Sequence, residues 1–279
     1  TGFDTCDVVV EAVLEKLEVK RAVFAELAPR LAERCILASN TSAIPLDELA
    51  AASGRPDRFV GIHFFNPVHK MPLVEIVRGT QTSPATVATA VEFAKQLKKI
   101  PVVVRGTPGF LVNRLLMPYL NEAGKLVGEG VSAGCIDAAM VRFGMPMGPL
   151  RLLDEVGLDV AHEVAQELAA AFADRMTVAP VLAEMRQAGL LGRKGGRGFY
   201  IYEGRSERPN RRYHARRSLP LAEVQERLLA VMVAEAKRCL AEKVVETEDD
   251  IDAGMIFGTG FPPFRGGLVK WARDSGRWA

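Results

Sequence analysis

The sequence predicts an α/β fold: the second half of a doubly wound domain, then an all-α domain, then a second helical repeat of that domain. Three observations carry this expectation. Over residues 1–107 short Val- and Ile-rich runs alternate with amphipathic stretches, the signature of a sheet covered on both faces. From Pro108 onward apolar residues recur at helical spacing. The segment that starts at Arg114 then reappears, in altered form, from Arg227.

Taken in order, VVVEA (8–12) is a buried-strand pattern, and a charged helical stretch follows from about Glu15 to Arg30. CILASN (35–40) is the next strand, and a Pro-Leu-Asp-Glu helix start lies at Pro45. FVGIHFF (59–65), LVEIV (73–77) and PVVVR (101–105) are three further strands, with a helix opening at Ser83-Pro84. PGFLVNRLLMPYLNEAGKLVGEG (108–130) begins a helix with Pro108 in its first turn. GPLRLLDEVGLDVAHEVAQELAAAF (148–172) is helical, and GLLGRKGGRGFYIY (189–202) is a glycine-punctuated turn ending in an aromatic strand. The basic, Pro-containing segment 205–217 reads as a linker. In the repeat, Glu122 aligns with Glu235 and Ile136-Asp137 with Ile251-Asp252. Duplicated helical units bury their apolar faces against each other, so the expected division is 1–107, 108–204, the linker 205–217, and 218–279 packed as an internal pseudo-dimer.

The 279 residues are 48% apolar and 25% charged, enough for a sizeable core across two or three domains. A net charge of +2 argues against a dedicated nucleic-acid binder. Cys6, Cys35, Cys135 and Cys239 are scattered without metal-ligand spacing and read as reduced thiols of a cytoplasmic protein, with no metal site. No apolar run has the length of a membrane span.

The chemistry concentrates in GIHFFNPVHKMPLVEI (61–76). A histidine in an apolar strand needs partners for both ring nitrogens, and a lone glutamate among Val and Ile is equally out of place. If the strands of His63 and Glu75 lie side by side, the carboxylate can accept from one ring nitrogen and leave the other as a general base. His69 reads as a turn residue. ASNTSA (38–43) follows a strand, where ligands bind in open α/β sheets. Asn113 falls on the first turns of the helix that leaves the sheet.

The order SNTS, HFFNP, LVEI, TPGFLVNR resembles the 3-hydroxyacyl-CoA dehydrogenase family. FGTGFPPFRGG (257–267) is similar to the dehydrogenase portion of the multifunctional fatty-acid oxidation alpha subunit. The resemblance covers essentially the whole chain. It implies a Rossmann-like domain using NAD and the oxidation of (3S)-3-hydroxyacyl-CoA to 3-oxoacyl-CoA, a step of fatty-acid β-oxidation. It casts His63 as the base for the 3-hydroxyl proton and Glu75 as its orienter. Ser42 and Asn113 take the substrate oxygen, Ser42 also contacts the cofactor, and Asn66 helps place its nicotinamide end. Glu15 and Lys20 match positions near the cofactor's ribose and phosphates, and Lys194 matches a lysine reaching the cofactor or CoA side. For these last three, a solvated charge is the competing reading. No G-x-G-x-x-G links a strand to a helix in this chain. The fingerprint is therefore expected upstream of Thr1, with weak NAD binding and a VVVEA edge free to pair with a second chain as a homodimer.

Other functions compete with catalysis. One is an inactive piece of the multifunctional enzyme that keeps only substrate- or partner-binding surfaces, the partner being a thiolase beta subunit. The other is nucleic-acid binding through the six arginines and Tyr213 of 205–217, disfavoured because no stacking platform accompanies them.

Overall fold

The computed structural model describes residues 2–42, 44–214 and 217–278. Ala43 of ASNTSA, Ala215 and Arg216 of the expected linker, and the two terminal residues lie outside the described residues. The strands of the main sheet are β1 Val8–Glu11, β2 Ile36–Ser39, β3 Phe59–Phe64, β4 Leu73–Arg78 and β5 Ile100–Arg105. Among them run α1 Leu17–Leu27, α2 Leu46–Ala52 and α3 Pro84–Gln96. Next come α4 Val112–Gly128, α5 Ala133–Phe143, α6 Pro149–Val156, α7 Leu158–Ala171 and α8 Pro180–Gln187. A hairpin of β6 Tyr200–Glu203 and β7 Ser206–Pro209 precedes α9 Arg211–His214. The chain closes with α10 Leu221–Ala241, α11 Glu248–Thr259 and α12 Leu268–Asp274.

The chain forms two compact units, Thr1–Val112 with Cys239–Thr259, and Asn113–Arg238 with Gly260–Ala279. In the first, the five strands lie in sequence order and all are parallel to their neighbours except β3 and β4, which are antiparallel. The connection between β3 and β4 is too short for a crossover helix, so the chain doubles back. That reversal sets His63 directly opposite Glu75 in the register. Ile36, Val60, Ile62, Val74 and Ile76 pack with Ala90 and Ala94 of α3 to form its core. Ser83 caps α3 by accepting from the Thr86 amide, and Pro84 occupies the first turn.

Residues 218–279 are divided between the units, because α11 groups with the sheet. Two glycines one turn apart let it come close. A Cβ at Gly254 would lie 2.7 Å from Leu111 Cδ2, and one at Gly258 would lie 2.7 Å from Leu73 Cδ2. The helix after β5 starts at Val112, later than expected. Pro108 instead leads into a turn in which Gly109 and Phe110 take φ of 75° and 49°.

In the second unit Gly157, at φ 99°, breaks the 148–172 stretch into α6 and α7. The expected linker is corrected: residues 206–209 pair as β7 with β6, and Tyr213 is buried on α9 against Phe199. The aromatic strand β6 needs a pairing partner, and the adjacent polar segment provides it. Arg114 Nε meets Glu235 at 2.7 Å, and Arg227 Nε meets Glu122 at 2.6 Å. Two arginine–glutamate pairs thus join α4 to α10. Among the described residues no helix is long and apolar enough to cross a membrane.

Two buried aspartates tie this unit together. Asp154 accepts from the Phe199 and Tyr200 amides and the Tyr202 hydroxyl, and Asp137 accepts from the Leu150 and Arg151 amides and the Tyr200 hydroxyl. Burial outweighs these bonds and pushes each carboxyl from 3.8 up to about 6. Between pH ~4 and ~6 the folded chain then holds protons that the unfolded chain releases. The stabilising contribution is complete below pH ~4 and is lost as pH rises through ~6, on the order of 2–3 kcal/mol per group. Glu129 and Asp159, held below their ordinary range by Arg227 and Lys194, act in the opposite sense. A residue-resolved readout separates the two: carboxyl ¹³C titration of Asp137 and Asp154 is expected to show midpoints near 6, and midpoints near 4 would refute the assignment.

Candidate active site

The carboxyl ends of β1, β2 and β3 form one edge of the sheet, the position where open α/β sheets bind ligands. Hydrogen bonds cross-link this edge. Glu11, at the end of β1, accepts from Lys20 Nζ at 2.8 Å and from Ser39 Oγ at 2.7 Å. The Asn40 amide donates to the Glu11 carbonyl, and Asn40 Oδ1 accepts from the Phe64 amide at 2.9 Å. Lys20 is only 1% exposed, and its ammonium also pairs with Glu15 at 3.0 Å. Glu15 accepts from the Thr41 hydroxyl and the Ser42 amide. Burial alone would raise its carboxyl, but these two donors and Lys20 together hold it below the ordinary value.

Ser42 is thereby placed beside His63. Its Oγ lies 3.0 Å from Nε2, and Nδ1 of the same ring lies 2.7 Å from Glu75 Oε2. A carboxylate only accepts, so Nδ1 carries the ring proton and Nε2 presents its lone pair. His63 is 5% exposed and Glu75 fully buried. The other oxygen of Glu75 accepts from the Leu111 and Val112 amides at 3.0 and 2.9 Å, where α4 begins. The left-handed turn at Gly109-Phe110 aims those two amides. Phe65 and Phe110 flank the imidazole, with ring centroids 4.7 and 5.5 Å away. The result is a continuous line from hydroxyl to imidazole to carboxylate to helix N-terminus, able to take a proton at Nε2.

The other expected residues stand as follows. Asn66 is exposed beyond β3, at a cis Asn66–Pro67 bond, and His69 lies on the exposed turn after it. Asn113 and Lys194 belong to the second unit. Asn113 is half-buried on the first turn of α4, and Lys194 pairs with Asp159 at 2.6 Å. Sequence reasoning did not single out Glu11. The available signal was an acidic residue ending a buried strand, in VVVEA.

Residues 2–107 match the family model described as 3-hydroxyacyl-CoA dehydrogenase, NAD binding domain, and residues 109–202 match the C-terminal domain of the same family. Fold and site together thus define an NAD-dependent oxidoreductase with a Rossmann-type sheet and a helical C-terminal part. The chain belongs to the 3-hydroxyacyl-CoA dehydrogenase family. Among solved structures it is 45% identical to (S)-3-hydroxybutyryl-CoA dehydrogenase PaaH1 from Ralstonia eutropha, over 72% of each chain with a TM-score of 0.70. It is 27% identical to 3-hydroxybutyryl-CoA dehydrogenase from Escherichia coli K12, covering all of this chain and 80% of that one at a TM-score of 0.82. The dehydrogenase part of multifunctional enzyme 1 from C. elegans is 33% identical, over 94% of this chain and 62% of that one, at a TM-score of 0.65.

Proposed function

We propose that this chain oxidises (3S)-3-hydroxyacyl-CoA to 3-oxoacyl-CoA in fatty-acid β-oxidation, with His63 as the general base. The hydrogen-bonded line Ser42–His63–Glu75 is the observation that carries the reading. His63 receives the proton of the 3-hydroxyl at Nε2, the ring atom that Glu75 leaves free. Glu75 acts as a positioning residue: it holds the tautomer and sets a negative charge against the protonated ring. The Ser42 hydroxyl orients the substrate oxygen, and Asn113 contributes to the same task. The residues fit NAD: past the ends of β1 and β2 lie the exposed apolar Val13 and Leu14 and the polar Glu15 and Ser42. NAD⁺, when bound, supplies the acceptor for the hydride of C3. Glu15, Lys20, Ser42, Asn66 and Lys194 are its proposed contacts, Lys20 acting by holding Glu15 in place.

Four free cysteines suit a cytoplasmic location. A thiolase beta subunit, and a second copy joined across the edge strand β1, are the partners in this reading. Acetoacetyl-CoA-dependent oxidation of NADH tests the activity, and its absence under saturating substrate and cofactor would sink the proposal. Ser42→Ala removes one hydrogen bond to the base and is expected to lower kcat about tenfold. An unchanged kcat would take Ser42 out of the reaction.

A further inference from the structure

We propose that the first unit holds a binding site for a phosphomonoester on a hydroxylated carrier, in a cleft at the carboxyl ends of β4 and β5. Open α/β sheets bind ligands outside the carboxyl ends of their strands. Because β4 and β5 run against β3, this sheet has two such edges. One lies beside His63, and the other opens on a cleft of about 500 Å³, within the range of small-molecule sites.

The strand register places the charge. Arg78 ends β4, Arg105 ends β5, and the two are partners in the parallel ladder. Their side chains therefore leave the same face of the sheet as neighbours, and both line the cleft. Like charges on adjacent strands repel each other. Arg78 meets Glu246 at 3.3 Å through Nη2, but that carboxylate is 67% exposed and outside the cleft, a surface pair of little strength. The Arg105 side chain has no hydrogen bond or ion pair among the described residues.

Two guanidinium forks side by side suit a phosphate better than a carboxylate. A carboxylate has two oxygens and occupies one fork. A phosphomonoester presents three acceptor oxygens and a charge of about −2 near pH 7, enough for both. The rest of the lining selects the carrier. It consists of threonines, glycines and Asp47, with no aliphatic or aromatic residue. Asp47 Oδ1 accepts from the Thr80 amide at 2.8 Å, and a Cβ at Gly79 would lie 2.7 Å from that oxygen. Glycine there lets the carboxylate sit against the turn after β4, with Oδ2 left to accept from a hydroxyl. An apolar carrier would find nothing to bury against, and a second anionic group would be repelled by Asp47.

The test is calorimetric titration of the 279-residue chain with glycerol 3-phosphate at constant ionic strength, with inorganic phosphate and glycerol as comparators. Glycerol 3-phosphate is expected to saturate one site and to bind about tenfold more tightly than phosphate, with no binding of glycerol. Arg78→Gln and Arg105→Gln are each expected to weaken it at least about tenfold. Arg30→Gln removes an exposed arginine outside the cleft and is expected to leave the affinity unchanged. Circular dichroism checks the folding of every variant. No saturable binding, phosphate binding as tight as glycerol 3-phosphate, full affinity in the two cleft variants, or an equal loss in Arg30→Gln would each overturn the proposal.

Discussion

Replacing His63 with glutamine is expected to lower kcat for 3-hydroxyacyl-CoA oxidation by about 10²–10⁴, the range supplied by general-base catalysis. Glutamine is close to histidine in volume and keeps an amide N–H to offer Glu75, so the strand pairing of β3 with β4 survives. It has no lone pair able to take a proton near neutral pH. Equal rates in active wild-type and variant enzymes would remove His63 from the role of base. Glu75→Gln gives an independent check. Its amide oxygen can keep the bonds from Leu111 and Val112, but its NH₂ then faces Nδ1. The ring must turn its lone pair toward that donor, which puts the proton on Nε2 and blocks the base. An imidazole held in the wrong tautomer loses up to about 10⁴ in rate. Nitrogen NMR of His63 would show the switch directly, and a variant with the wild-type tautomer and full activity would refute the positioning role.

Glu235→Gln is expected to destabilise the second unit by about 3–5 kcal/mol, because it takes the carboxylate from a buried guanidinium. The Arg114 and Glu235 side chains are 1% and 6% exposed, so water does little to compensate. The equivalent pair is more open, with Arg227 and Glu122 at 36% and 13%. Arg227→Gln is therefore expected to cost only about 1 kcal/mol. Denaturant midpoints, read together with hydrogen exchange in α4 and α10, measure both. Equal costs at the two sites would show that burial does not set the strength of these pairs.

Much of the first unit was legible in the sequence for simple reasons. Strands buried on both faces must be apolar throughout, so FVGIHF and LVEIVR stand out, and any polar residue inside them invites a question. His63 and Glu75 were visible on those grounds. Glu11 and Lys20 were not. An acid ending a strand and a lysine on a helix are ordinary surface residues until the fold buries both and makes them partners. Nor could the sequence anticipate that backbone amides of Leu111 and Val112 hold Glu75, since an amide has no residue type to read.

In the second unit, composition misled at 205–217. A basic, Pro-containing stretch has the polarity of a linker, yet β6 recruits part of it as a strand and Tyr213 is buried. The sequence suggests a register of Arg114 with Arg227 and Glu122 with Glu235. Which arginine meets which glutamate was not legible, because that depends on how the helices pack.

By itself the sequence determined the alternation of strands and helices, the helical character of the second half, the family, and the histidine and glutamate that carry the proposed chemistry. The alternation, the helical pattern and the two side chains follow from local hydrophobic periodicity or from residue types unusual for their setting, and the family from the resemblance of its motifs. Only the tertiary structure decided that β4 runs against β3, that α11 joins the sheet, and that Glu11, Lys20 and Glu15 brace Ser42 beside the imidazole. Those outcomes rest on distances between segments far apart in the chain, where burial and geometry give ordinary residues their partners.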